Sequence, residues 1–205
     1  MDAPPDEAHL LERSRQGDLA AFNEIVAAYQ DRLYNLCLRM LGSAQAAEDA
    51  CQEAFLSAYR GIAAMRGSRL KSWLFRIAAN ACVDELRRRR RQPQVSLEAP
   101  VPGAEEERPL DVADAAAGPE QLALRGELWQ ALQAELLRLP DDQRLAVILC
   151  DVEELSYEEI AVSMSTSVGT VKSRISRGRA RLRLALQGRP ELFGDLVRLT
   201  ERNPG

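Results

Sequence analysis

Residues 155–183 read LSYEEIAVSMSTSVGTVKSRISRGRARLR, and this stretch decides the fold. Ser156 can cap a short helix with its side-chain oxygen, and Glu159 three residues on completes a capping box. Ile160, Ala161 and Met164 give that helix an apolar side. The run Ser165-Thr166-Ser167 favours a turn over a helix. From Val168 a second helix begins, with Val168, Val171, Ile175 and Leu182 on one face. Its other faces carry Lys172, Arg174, Arg177, Arg179, Arg181 and Arg183, with no acid among them. This is the layout of a helix-turn-helix whose second helix enters a DNA major groove. A solvated basic face is the plainer alternative. The capped helix and small-residue turn directly in front of it favour DNA.

Working outward, the 205 residues suffice for one large domain or two small ones, and 46% apolar content supports real cores. The net charge of −4 is unevenly placed. Between Arg66 and Arg91 nine cations (Arg66, Arg69, Lys71, Arg76 and Arg87 to Arg91) face only Asp84 and Glu85. From Thr166 to Arg189 there are seven cations and no acids. Two basic islands in an acidic chain indicate two DNA contacts, with acidic surfaces left for other partners. Cys37, Cys51, Cys82 and Cys150 are far apart in apolar contexts, as expected of buried free thiols in a reducing cytosol. No signal peptide opens the chain and no run of 18 apolar residues occurs, so a soluble, cytoplasmic protein without membrane insertion is expected.

The order of elements is helical throughout. A short helix is expected over Glu7–Arg15, and Asp18 can cap a long one from Leu19 to about Leu41. Gly42-Ser43 ends it and starts a third, from Ala44 to about Ile62. That third helix should bury Ala47, Cys51, Phe55, Ala58 and Tyr59 while exposing Glu48, Asp49, Gln52 and Glu53. A loop over 63–72 precedes a fourth helix from about Leu70 to Arg91. Trp73, Leu74, Ile77, Ala78, Cys82 and Leu86 make its packing side, and Trp73 fits a core better than a base-stacking platform. Residues 92–121 then hold five prolines and seven acids against the single Arg108, the composition of a flexible tether. Helices resume at about Glu120–Leu139 and from Asp141 through Val152, and the helix-turn-helix completes a second domain. Pro190 to Arg202 reads as an amphipathic extension. The fold class is therefore all-α: two small helical domains joined by a flexible acidic linker, the second ending in a helix-turn-helix. The boundaries are 1–91, 92–119, 120–189 and 190–205.

Catalysis has little support. No phosphate-binding loop, dinucleotide fingerprint or paired Cys/His motif is present, and His9 is the only histidine. No catalytic residue, metal or cofactor is expected. The first basic island mixes cations with Trp73, Asn80 and a glycine-bearing loop, which suits single-stranded or distorted DNA.

Three stretches taken in order, GSAQAAEDACQEAFLSAYRG, LKSWLFRIAANACVDELRRRRR and the opening motif, resemble the successive motifs of a bacterial RNA polymerase sigma factor. The type is the small, two-domain extracytoplasmic-function (ECF) class. The resemblance covers about Ala20 to Arg91 and Pro119 to Leu186. It implies that Asp49, Gln52, Glu53 and Leu56 meet core RNA polymerase at the clamp helices of its largest subunit. The flap of the second-largest subunit is the further polymerase contact implied. The minus-ten element would be read as an opened single strand by the loop from Ala64 to Lys71, including Arg66 and Arg69. Arg76, Asn80 and Asp84 would lie near the upstream edge of the melted region, and Arg87 and Arg88 are expected as further minus-ten contacts. The minus-thirty-five duplex would meet Lys172, Ser173, Ser176 and Arg177 at its bases and Arg174 and Arg179 at its phosphates. The acidic linker would thread the polymerase's nucleic-acid channel, and an anti-sigma protein would mask these surfaces by wedging between the domains.

Two positions depart from the family pattern. Ser165 replaces the usual glycine of the turn, which leaves a different backbone route open. Ser176 stands where many members carry a bulky residue, so the minus-thirty-five sequence is not legible. The rival readings are a two-domain helix-turn-helix regulator acting without polymerase and a nucleic-acid-modifying enzyme. The first needs a ligand or receiver module, of which Leu19 to Arg91 shows no sign; the second lacks its motifs.

Overall fold

The computed structural model describes residues 7–67, 69–91 and 119–188, with side chains from 126 onward in the last segment. The expected linker core (92–118) and C-terminal extension lie outside the described residues. Helix α1 spans Glu7–Arg15, α2 Leu19–Leu41, α3 Ala44–Gly61 and α4 Leu70–Arg91. After the linker come α5 Pro119–Arg138, α6 Asp141–Val147, α7 Tyr157–Ser163 and α8 Val168–Gln187. No strand occurs among the described residues. None of their helices is long and apolar enough to cross a membrane.

Local chemistry sets the ends of the elements. The Asp18 carboxylate accepts the Ala20 and Ala21 amides at 2.9 and 3.2 Å, satisfying donors that the first turn of α2 leaves open. Arg13 pairs with the same carboxylate at 2.7 Å and, together with those amides, holds it below its ordinary pKa. Gly42 ends α2 at φ 67°, a left-handed position where a side chain is strained, and Ser43 then caps α3. The corner is also tight. A Cβ on Gly42 would lie 2.5 Å from Leu137 Cδ1 of α5, so glycine is what lets α5 approach.

Helices α2, α3 and α4 pack as a bundle, with α1 against α2. Ile25, Leu33, Leu36, Met40, Leu70, Leu74 and Phe75 are fully buried there. In the second half α8 crosses α6 where Gly178 sits against Val147, and Ile148, Leu149, Ile160, Val171 and Ile175 form the interior. The helix expected through Val152 changes form: α6 stops at Val147, and Ile148–Val152 continues as a π-helical turn. Glu154 at φ 55° then breaks it. Similarly α3 ends at Gly61 and tightens into a 3₁₀ turn over Ile62–Ala64. The two halves are not separate bodies: α4 packs on α7 and α2 on α5, and one continuous apolar core runs through both.

Candidate nucleic-acid interface

The helix-turn-helix forms from the chemistry of its own sequence. The Ser156 amide donates to Glu159 Oε2 at 3.0 Å and the Glu159 amide to Ser156 Oγ at 3.3 Å, closing the capping box. Partial burial of Glu159 opposes its charge, but these Ser156 contacts outweigh it and hold the carboxyl below its ordinary pKa. In the turn Ser165 takes φ 50°, the left-handed route a glycine would follow, and the Thr166 amide returns to the Ala161 carbonyl at 2.9 Å. The serine therefore preserves the path. Ser167 opens α8 by accepting the Thr170 amide at 3.2 Å.

Along α8, Val171, Ile175 and Gly178 face inward, which turns Lys172, Ser176 and Arg177 to solvent. Lys172 Nζ lies 5.6 Å from the centre of the Tyr157 ring, so α7 steadies it. Half-buried Ser173 gives its hydroxyl proton to the Thr170 carbonyl at 2.9 Å, leaving its lone pairs outward as acceptors. Arg174 pairs with Asp142 at 2.9 Å and Arg179 grips Asp151 with both nitrogens. The pair holds the Arg179 guanidinium firmly protonated, with pKa raised by the Asp151 hydrogen bonds against partial burial. Three of the expected base-facing residues are thus exposed, while the expected phosphate holders are engaged with acids of their own half.

The first basic island has a different shape. Arg15 crosses from α1 and donates to the carbonyls of Met65 and Gly67 at 2.9 and 2.5 Å, pinning the loop that carries exposed Arg66 and Arg69. The sequence reading missed Arg15, since its partners lie about fifty residues away (50 and 52). Ser57, Gly61, Ala64, Met65, Arg66 and Trp73, with Arg76 and Ile77, line an open hollow beside this loop. Trp73 is half-buried at its wall and packs against the core rather than standing free as a platform. Farther along α4, Arg76 is half-buried while Asn80 and Asp84 are exposed. The arginine run divides among acids: Arg87 on Asp84, Arg88 and Arg89 on Glu85, Arg90 on Asp141. Burial of Glu85 opposes its charge, but Arg89 and Arg88 prevail and hold its carboxyl below the ordinary range. Lys71 is half-buried and donates to the Glu153 carbonyl at 2.5 Å.

On α3, Asp49, Gln52 and Glu53 are exposed beside Leu56, which is 51% exposed. Tyr59, expected inside, is 45% exposed and leans edge-on against Phe22 at 5.1 Å. An acidic and amide face with an apolar centre results. Among the described residues no cluster of three or more His, Cys, Asp or Glu side chains could hold a metal ion. All four cysteines are free; burial pushes the Cys51 thiol up to about 11, and contact with Cys82 together with burial raises the Cys37 thiol well above its ordinary value.

With this geometry in view, comparison with known proteins defines the class. Residues 25–92 match sigma-70 region 2 and residues 129–182 match sigma-70 region 4. The chain is 40% identical over 180 residues to the ECF RNA polymerase sigma factor SigW of Bacillus subtilis (strain 168), covering 86% of this chain and 95% of that one. It is 39% identical over 171 residues to the ECF RNA polymerase sigma-E factor of Escherichia coli (strain K12), covering 83% and 88%. Among solved structures it superposes on the sigma factor RpoE, in complex with the anti-sigma factor NepR from Bartonella quintana. The TM-score is 0.62 at 28% identity, over 81% of this chain and 96% of that one. CnrH in complex with the cytosolic domain of CnrY shares the fold, with TM-score 0.63 at 23% identity over 89% and 99%. The chain belongs to the extracytoplasmic-function family of RNA polymerase sigma factors.

Proposed function

We propose that this chain is a dissociable subunit of RNA polymerase that selects promoters by holding them at two places. The first domain, residues 1–91, would bind core polymerase through Asp49, Gln52, Glu53 and Leu56 and take the minus-ten element as a single strand. The strand would lie along Arg66, Arg69, Lys71, Arg76, Asn80, Asp84, Arg87 and Arg88. The second domain, residues 120–189, would dock the minus-thirty-five duplex. Lys172, Ser173, Ser176 and Arg177 would meet the bases there, and Arg174 and Arg179 the phosphates. Residues 92–119 would occupy the polymerase's cationic channel, where six acids are at home. Since RpoE was solved with the anti-sigma factor NepR, an anti-sigma protein is the natural inhibitor of this chain as well.

The observation that carries this reading is the pairing of two unlike basic surfaces in one chain: a loop-and-hollow on the first half and an exposed recognition helix on the second. A regulator of duplex DNA needs only the second. The experiment is a titration of fluorescent chain with core polymerase. Leu56→Asp should weaken core binding at least tenfold while Lys172→Ala leaves it unchanged. Equal core affinity of Leu56→Asp and the unsubstituted chain would remove the α3 contact from the proposal.

A further inference from the structure

The loop between α3 and α4 is held from α1. Leu10 and Leu11 bury α1 in the core, and the helix packs on the 3₁₀ turn Ile62–Ala64. Arg15, in its last turn, sends one nitrogen, Nη2, to two backbone oxygens: that of Met65 at 2.9 Å and that of Gly67 at 2.5 Å. Carbonyls two residues apart thus converge on one cation, and Arg66 between them is left exposed. Gly67 stands at φ 87°, the left-handed step that lets the turn close. Met65 is buried and also lines the hollow with Ser57, Ala64 and Trp73, so the residue Arg15 holds by its backbone is part of that wall. The arginine forgoes hydrogen bonding of its own to stand there. Its Nε is buried and meets no acceptor among the described residues, against the rule that buried donors are paired. Its Nη1 meets Glu12, one turn back, at a long 3.5 Å. Arg13 in the same turn is satisfied locally, with Nε and Nη2 on Asp18 at 2.8 and 2.7 Å. Arg13 serves its own corner; Arg15 serves the loop.

Such a pin matters differently for the two kinds of DNA contact. Attraction of cations to phosphates is long-ranged and tolerates a loop that shifts. Reading a base edge needs donors, acceptors and walls in one arrangement, and a loop that wanders accepts several bases alike. Resting on the sigma-factor reading, we propose that Arg15 is a positioning residue for minus-ten selection. By fixing the Met65–Gly67 turn from α1 it sets which base the loop accepts, without being a DNA contact itself. The base preference of the first domain is then written partly outside the loop, in a side chain 50 residues before Met65.

The test is selection on holoenzyme, assembled from core polymerase and the full chain, with a single-stranded DNA 12-mer library randomised at its centre. The unsubstituted chain should enrich a defined base preference. Arg15→Met keeps the apolar stem and removes the guanidinium. It should lower the preference about tenfold at one or two adjacent positions, within what one base contact is worth, and leave the other positions as they were. Arg15→Lys, which keeps the charge on a shorter reach, should restore part of the loss. Arg13→Met removes a cation from the same turn and should leave the preference unchanged. Core affinity and minus-thirty-five duplex binding should not move in any of the three. If Arg15→Met fails to fold by circular dichroism, Arg15→Lys carries the comparison, with a loss of about threefold expected. A folded Arg15 variant with unaltered preference overturns the inference. So does a uniform loss across all sequences, which marks a phosphate contact, or an equal loss from Arg13→Met, which marks a loosened α1. Failure of the sigma-factor reading shows separately: holoenzyme with the unsubstituted chain would select the library no differently from core alone, and the inference would fall with it.

Discussion

Arg179 on α8 holds Asp151 of the π-helical turn with two nitrogens, Nε standing 3.0 Å from Oδ2. The pair ties the recognition helix to its support and fixes the direction of a cation that would otherwise sweep the solvent. It also means that a DNA phosphate must compete with a carboxylate for Arg179. Asp151→Asn should lower stability by no more than about 1 kcal/mol, since both side chains are partly exposed. It should also steepen the salt dependence of duplex binding by about one phosphate contact. Thermal unfolding and a salt series check the two halves of this expectation, and an unchanged slope would show that Arg179 does not reach the backbone.

Gly178 lies in the middle of α8, where alanine normally stabilises a helix by about 1 kcal/mol. Here a Cβ would stand 2.6 Å from Val147 Cγ2 and 3.3 Å from the Gln143 carbonyl. Gly178→Ala should therefore destabilise the chain by about 1–3 kcal/mol through overpacking. Adding Val147→Ala should relieve part of the loss. Urea unfolding decides the sign, and a more stable Gly178→Ala chain would mean that α6 and α8 do not meet here.

The capping box should be pH-dependent. Because the Glu159 carboxyl is held below its ordinary value of 4.5, its stabilising contribution is present above that value and is lost as pH falls through the folded-state pKa. Ser156→Ala should cost about 1 kcal/mol at neutral pH. The stability gap between the unsubstituted chain and Glu159→Ala should narrow steadily below pH 4.5. A gap that is constant from pH 7 to pH 3 would exclude the charged cap.

Three of the four thiols are buried and Cys150 is half-buried. An Ellman-type reagent should meet one slow thiol in the native chain and four after denaturation. Cys150→Ser should abolish the native signal. Rapid reaction of Cys37, Cys51 or Cys82 would contradict the packing of α2, α3 and α4.

What the sequence disclosed follows the range of each interaction. Asp18, the Gly42-Ser43 corner and the Ser156/Glu159 box were legible because the backbone groups they cap lie within four residues. The exposed side of α8 was legible too, since Val171 and Ile175 set its face by helical spacing alone. The junction between the two halves was not. Arg32 of α2 and Glu153 meet there from 121 residues apart, and nothing local marks either as buried or paired. Phe75 was passed over for the same reason: the stripe through Trp73 and Ile77 accounts for α4 packing within its own half, whereas Phe75 lies under Arg32 at the junction. Tyr59 erred the other way, for its spacing places it on the apolar stripe while its ring rests on the rim beside Phe22.

Run-off transcription with core polymerase on fragments of the host genome tests the central claim most directly. Discrete transcripts should appear from a small subset of fragments only when core and chain are both present, their start sites aligning on shared elements near minus thirty-five and minus ten. Lys172→Ala with Arg177→Ala should lower that output without lowering core binding. Specific duplex binding by the chain alone, with core transcription identical in its presence and absence, would contradict the account.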